Sequence, residues 1–467
     1  MKTRTTPLSL LAALSLSACA VGPDYALPPP PKASSGPFLA AGAPPVVADT
    51  LPQDWWLMYD DPVLNGLVAD AVTANTDLRQ AVARIERARA GLRGAGADRL
   101  PQANIGVGGN YARQPQNLVL PGMSREGWTY DAGIEIGYEV DLFGRIGRNV
   151  EAARADLAAS QADADAVRVI VIAETTRAYA DAASGAAQLR VARDIVALLD
   201  QSLSLTTRRH DAGLESGFAV AQIRTLRDQR AAEIPSLEAA RQAALYRLST
   251  LTGRAPADLP VIAGERSIAL EISKPIPIGD GTALLARRPD VRAAERRLAA
   301  RTASIGVATA DLYPRITLGG SVGSTGTDIG DILTGGPFRW LLGPLLSWAF
   351  PNQEPARARI DAAEAETQEA LAAFDGTVLL ALEETETALS NYGRALERRA
   401  ALQSATQQAE RATRIITVQQ REGAINSLAR LDAERTLADV RAQLAAQDAA
   451  VSRSQIDLFR ALGGGWS

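Results

Sequence analysis

The residue types that do most enzyme chemistry are scarce in this chain. Its 467 residues include one cysteine, Cys19, one histidine, His210, and three methionines. A single cysteine has no partner for an internal disulfide, so its thiol is left for modification. A single histidine cannot build a His-based metal site, and a Ser-His-Asp set has only His210 to draw on. No phosphate-cradling glycine loop stands anywhere in the sequence. An enzyme is therefore not expected, no cofactor or metal is called for, and His210 reads as a surface helix residue. Acids number 53 against 49 Lys and Arg, a net charge of −4. No global basic field points to nucleic acid. The acids with the most informative setting are Asp131 and Glu135, which alternate with bulky apolar residues.

The setting of Cys19 is specific. Lys2 and Arg4 form a positive start, and Leu8 to Leu16 an apolar run too short to span a bilayer. Leu16-Ser17-Ala18-Cys19 resembles the bacterial lipobox. That resemblance implies a signal peptide over residues 1–18 and a mature N-terminus at Cys19, carrying an N-acyl and an S-diacylglycerol lipid. Ala20 follows it, which resembles default sorting to the outer membrane. No later segment supplies the roughly 20 uninterrupted apolar residues of a membrane helix. One lipidated terminus is a modest anchor, so a second attachment, by β-strands, is expected.

The elements that must position these residues come in duplicate. The stretch from Asp77 aligns without a gap with the stretch from Asp290, putting Asp98 on Asp311 and Pro101 on Pro314. Farther along, HDAGLESGFAV from His210 aligns with QREGAINSLAR from Gln420, so Gly213 and Gly423 lie close in that frame. A period of roughly two hundred residues is far above solenoid repeats. The expected layout is a linker over 19–76, a first copy over 77–285 and a second over 286–467. Each copy opens with a heptad helix (about 77–99 and 290–312) that a proline stops. Two alternating segments follow: 102–113 and 127–142, then 314–323 and 338–350. In the second of them Trp128, Tyr130, Ile134, Ile136, Tyr138 and Val140 alternate with Thr129, Asp131, Gly133, Glu135, Gly137 and Glu139. A period of two is a strand signal. Aromatics near the strand ends (Trp128, Tyr130, Tyr138, Trp340, Trp348) fit interfacial belts. A long helical hairpin closes each copy, turning near 213 and near 423. From Glu354 to Glu422 no proline follows Pro355, and such a helix reaches roughly 100 Å. Leu437, Leu444, Val451 and Leu458 hold a coiled-coil period. Pro235 should kink the returning helix of the first copy.

Four strands cannot close a barrel, and unpaired edges are intolerable in lipid. The chain must therefore oligomerise, or its strands must form a water-soluble sandwich. Asp131 and Glu135 belong on a water-filled lumen, because a lipid-facing carboxylate is costly. VGPDYALPPP (Val21–Pro30), DWWLMYDDPVLNGLV (Asp54–Val68), NTDL (Asn75–Leu78), YEVDLFGR (Tyr138–Arg145) and ALGGGW (Ala461–Trp466) then carry a resemblance over essentially the whole mature chain. They resemble the TolC-like outer-membrane factors, in the lipoprotein branch called NodT- or OprM-type.

The resemblance implies an α+β membrane protein that acts as a homotrimer. Each protomer gives four strands to one 12-stranded outer-membrane barrel, and its helices join a coiled-coil α-barrel in the periplasm. The implied function is the passive exit duct of a tripartite efflux pump, coupled through a periplasmic adaptor to an inner-membrane transporter of the resistance-nodulation-division type. SLARLDAER places Leu428 and Asp432 on the family's periplasmic gate, as an apolar ring and a charged ring. Ala429 and Ile425 stand where some members carry a second acid and an arginine, which puts a double ring and its ionic lock in doubt. The turns AGLES (Gly213, Leu214, Ser216) and EGAINS (Gly423, Ala424, Ser427) are the implied adaptor-docking tips; residue by residue they equally suit a glycine helix end and a serine N-cap. Two other functions remain: the outer component of a type I protein-secretion system, and a lipid-anchored periplasmic coiled-coil protein with no pore.

Overall fold

A computed structural model describes residues 20–29, 36–42, 44–333, 338–422, 425 and 427–464, with backbone alone for Leu118, Asp331, Leu333, Arg421, Ser427 and Leu428. Cys19, Gly423 and Ala424 lie outside the described residues.

Along the chain, strand β1 (Val46–Val47) precedes helices α1 (Pro62–Ala74) and α2 (Thr76–Ala97) and strands β2 (Gln102–Arg113) and β3 (Glu126–Val140). The 67-residue helix α3 (Arg145–Asp211) follows, then α4 (Gly217–Ala231) and α5 (Ile234–Leu251). Strand β4 (Ile276–Pro277) and helices α6 (Gly281–Arg287) and α7 (Pro289–Ala310) lead to β5 (Arg315–Gly326) and β6 (Phe338–Ser347). The 68-residue α8 (Glu354–Arg421) and α9 (Ser427–Ala461) complete the order. Helix, two strands, long helix and returning helix thus occur twice. No described helix is long and apolar enough to cross a membrane.

The departures from expectation have local causes. At Pro235 the helix breaks outright between Ala231 and Ile234, and the proline sits in the first turn of α5, where no N–H is needed. Strand β3 stops at Val140 because Asp141 leaves the ladder to cap α3, accepting from the Ile146 and Gly147 N–H groups at 2.9 and 2.7 Å. Strand β6 stops at Ser347, opposite Arg315, the first residue of its partner. Trp348 then turns its indole N–H to the Leu312 carbonyl, 3.1 Å away. Strand β5 runs on to Gly326 because β3 offers it partners as far as Tyr130.

The chain folds as two compact units. Of the described residues, those within Met1–Pro28, Arg84–Ser160 and Ala293–Asp375 form the first, and those within Pro29–Ala83, Gln161–Arg292 and Gly376–Ser467 form the second. Each unit takes corresponding pieces from both sequence copies.

The first unit holds a four-stranded antiparallel sheet in the order β2-β3-β5-β6. Directly opposed residues share a face. One face carries Ile105 opposite Ile134, Ile134 opposite Val322 and Val322 opposite Trp340. Ile105, Val107, Trp340, Leu342 and Leu346 are all exposed there. The other face carries Asn104, Glu135, Ser321 and Leu341 in one row, flanked by rows containing Gly133–Gly323 and Gly137–Gly319–Gly343. A Cβ on Gly323 would lie 2.6 Å from the Ala132 carbonyl oxygen, so the backbones approach too closely there for any side chain. Aromatics gather at both strand ends. Trp128 packs with Tyr111 and Tyr130, each at 5.7 Å between centroids, and at the other end Phe143 stacks on Tyr313 at 4.5 Å.

The first described residues are strapped to this unit. The Val21 N–H donates to the Phe143 carbonyl at 3.2 Å. Arg148, a buried side chain of α3, donates to the Val21 and Gly22 carbonyls and pairs with Asp24 at 2.7 Å and Glu151 at 2.9 Å.

The second unit has the main hydrophobic core, in which Trp55 stacks on Phe459 at 4.5 Å beside Tyr59, Leu64, Leu248, Leu284 and Tyr392. Complete burial of such side chains contributes about 1.5–3 kcal/mol each. Asp61 explains the DDPVL motif. One carboxylate oxygen caps α1 through the Val63 and Leu64 N–H groups, and the other accepts from the Tyr179 hydroxyl at 2.9 Å and from Arg266 at 2.8 Å. Gln455 bonds both backbone groups of Ile272 and the Tyr392 hydroxyl, tying the segment before β4 to α9.

Candidate functional site

Three places hold the residues singled out from sequence. The first is the polar face of the sheet. Asp131 and Glu135 both lie on it, as the alternation requires, but their surroundings differ. One Asp131 oxygen accepts from the Thr325 hydroxyl, directly opposite, and from Arg339, each at 2.6 Å. Arg339 also donates to that threonine at 2.9 Å. Glu135 is exposed, with Asn104 and Ser321 opposite it and Gly133 and Gly137 beside it on its own strand. Arg339 was not singled out from the sequence, although the period of two already puts it on the polar face. Leu341 and Leu345 also lie on that face and are exposed, so strand β6 is apolar on both sides.

At the base of the same face Glu139 accepts two bonds from Arg145, each at 2.8 Å, and Arg315 pairs with Asp311 at 3.2 Å. Two charge pairs thus stand where the strands meet the helices.

The second place is the turn between α3 and α4. Gly213 takes the left-handed φ of +72° that ends a helix without Cβ strain. Its N–H bonds the His210 carbonyl and the Leu214 N–H bonds the Arg209 carbonyl, both at 2.8 Å. Ser216 caps α4 by accepting from the Ala219 N–H at 3.2 Å. His210 is spent on the same turn, with Nδ1 2.9 Å from the Glu215 carbonyl. Leu214 itself is 70% exposed, leaving an apolar side chain at the tip of the turn.

The third place is the start of α9. Ser427 opens that helix and Leu428 follows, with only their backbone described. Asp432 is exposed and four residues from Leu428 in one unbroken helix, so the two share a face. It lines a groove of 460 Å³ between α4 and α9, together with Phe218, Gln222, Leu431 and Arg435. Behind it lies a polar network that the sequence did not reveal. Arg430 donates to Glu434 at 2.7 Å, to Gln420 of α8 at 2.9 Å and to Ser202 of α3 at 3.1 Å. Ser202 in turn donates to Glu434 at 2.8 Å. The network joins helices of both hairpins, and all of its members are buried or half-buried.

Among the described residues no group of three or more His, Cys, Asp or Glu is placed to hold a metal ion.

Comparison with known proteins agrees with this architecture. The family described as outer membrane efflux protein matches residues 67–254 and 282–464. Outer membrane protein OprJ of Pseudomonas aeruginosa is 34% identical over 463 residues, covering 98% of this chain and 95% of that protein. The toluene efflux pump outer membrane protein TtgF of Pseudomonas putida is 30% identical over 475 residues, covering 99% and 97%. Among solved structures, the outer-membrane channel OprN superposes with a TM-score of 0.88 at 36% identity, covering 96% of this chain and 100% of that one. With most of its length matched and a sheet that presents one apolar and one polar face, the chain belongs to the outer membrane efflux protein family.

Proposed function

We propose that the chain is the exit duct of a tripartite efflux pump, a passive outer-membrane channel built from three copies. The observation that carries this reading is the sheet. Among the described residues strands β2 and β6 each pair on one side only, and both expose apolar residues on the face opposite the acids. Edges of that kind are untenable in lipid unless another copy completes them. Joining β6 of one copy to β2 of the next three times gives a closed 12-stranded barrel with Asp131 and Glu135 facing the lumen. Leu428 and Asp432 then form the apolar and charged rings that close the periplasmic end. The turns around Gly213 and Gly423, with Leu214, Ser216, Ala424 and Ser427, receive a periplasmic adaptor, which links the duct to an inner-membrane transporter. Lipid on Cys19 adds a second attachment beside the barrel.

Two measurements on the purified full-length protein test this. Migration on a mildly denaturing gel should shift on boiling from a trimer to a monomer. The unboiled form should conduct ions across a planar bilayer. A chain that stays monomeric and non-conducting in lipid overturns the duct.

A further inference from the structure

The charges on the sheet are not equivalent. Of the charged residues in its four strands, Arg113 pairs with Glu126 at 3.1 Å, Asp131 with Arg339 at 2.6 Å, Glu139 with Arg145 at the start of α3 at 2.8 Å, and Arg315 with Asp311, ahead of β5, at 3.2 Å. The remaining charged strand residue is Glu135, whose carboxylate has no ion pair or hydrogen bond among the described residues.

Its neighbours explain why. On the polar face Glu135 is bracketed by Gly133 and Gly137 on its own strand, faces Asn104 and Ser321 across the two ladders, and has Gly319 and Gly323 on the diagonals. None of these can donate from a cationic side chain. The basic residues whose strands reach that face are already engaged, Arg339 by Asp131 and Arg315 by Asp311.

We infer that Glu135 sets the ion preference of the outer pore, whereas Asp131 contributes almost nothing to it and serves to position Arg339. The inference rests on the duct reading above. In a three-copy barrel one Glu135 from each protomer places three uncompensated carboxylates at one level of the barrel wall. Such a ring concentrates cations and repels anions. Asp131 lies four residues, about 13 Å, farther along the strand, and Arg339 reaches it from the row two residues, about 7 Å, away. The two charges cancel each other's field at distances beyond the pair, and salt screens the remainder.

The test is the reversal potential of single channels in a planar bilayer under a potassium chloride gradient. Every channel carries Asp432→Ala, so that the periplasmic acid does not mask the outer pore. Glu135→Gln should lower the potassium-over-chloride permeability ratio by at least about two-fold. The double variant Asp131→Asn with Arg339→Gln removes both members of the pair and should leave the ratio at the parent value. Arg339→Gln alone should raise it, because it exposes Asp131. A parent ratio that survives Glu135→Gln, or one that collapses in the double variant, overturns the inference and leaves the duct standing. A parent chain that forms no channel removes the duct reading and this inference with it.

Discussion

The Tyr179 hydroxyl donates to Asp61 at 2.9 Å, while the Tyr59 hydroxyl, buried in the same core, has no hydrogen-bond partner among the described residues. Burial is the main cause that raises both phenols well above the ordinary tyrosine range, so each stays protonated at working pH. Removing the two hydroxyls should therefore have opposite effects. Tyr179→Phe leaves the buried Asp61 short of a donor and should destabilise by about 1–2 kcal/mol. Tyr59→Phe removes an unsatisfied group and should be neutral or stabilising by up to about 1 kcal/mol. Thermal unfolding followed by circular dichroism checks both, and equal losses would contradict the bonding described.

The proposed gate predicts a leak. Leu428→Ala combined with Asp432→Ala should raise the resting conductance of single channels at least about two-fold, since both rings lose their occupants. Unchanged conductance would remove Leu428 and Asp432 from the constriction.

Arg430 should matter through its shape as well as its charge. Its fork reaches Glu434, Gln420 and Ser202 at once, which the point charge of a lysine cannot do. Arg430→Ala strands a half-buried Glu434 and should cost about 2–3 kcal/mol. Arg430→Lys should recover less than half of that. The temperature at which the trimer dissociates on a gel reports both, and full recovery by lysine would argue against the three-way contact.

The exposed Leu214 separates docking from folding. Leu214→Glu leaves the Gly213 and Ser216 turn bonds untouched, so stability should hold while adaptor binding falls. Gly213→Val forces a branched side chain into left-handed backbone and should cost about 1–2 kcal/mol. A Leu214→Cys thiol offers the direct check, cross-linking to the adaptor in the assembled pump. Cys19 is the chain's own cysteine, and an acylated sulfur there would not compete.

Lipid on Cys19 should be secondary to the strands. Cys19→Ser, exported with an ordinary signal peptide, should lose its acyl mass yet keep a heat-sensitive trimer. The strap of Val21 to Asp24 on Phe143 and Arg148 is made by protein atoms and persists without the lipid. Loss of the trimer in that variant would make the lipid the primary anchor.

Much of the molecule was legible in one dimension because its signals are periodic. Alternation marked β2, β3, β5 and β6, heptads and the absence of proline marked the long helices, and self-alignment exposed the duplication. The left-handed end at Gly213, the cap at Ser216 and the shared face of Leu428 and Asp432 are local consequences of residue type and helical spacing. Strand ends were less legible, since β3 and β6 stop where Asp141 and Trp348 find partners outside the ladder.

Tertiary structure alone decided which charges are spent. Asp131 and Glu135 are four residues apart on one strand and look alike in sequence, yet Arg339, 208 positions from Asp131, neutralises only the first. Arg430 and Ser202 are 228 positions apart and meet for the same reason. Periodicity determines which face of an element a residue occupies. Whether a charge on that face is cancelled depends on the register of distant strands and the packing of distant helices, and a single stretch of chain contains neither.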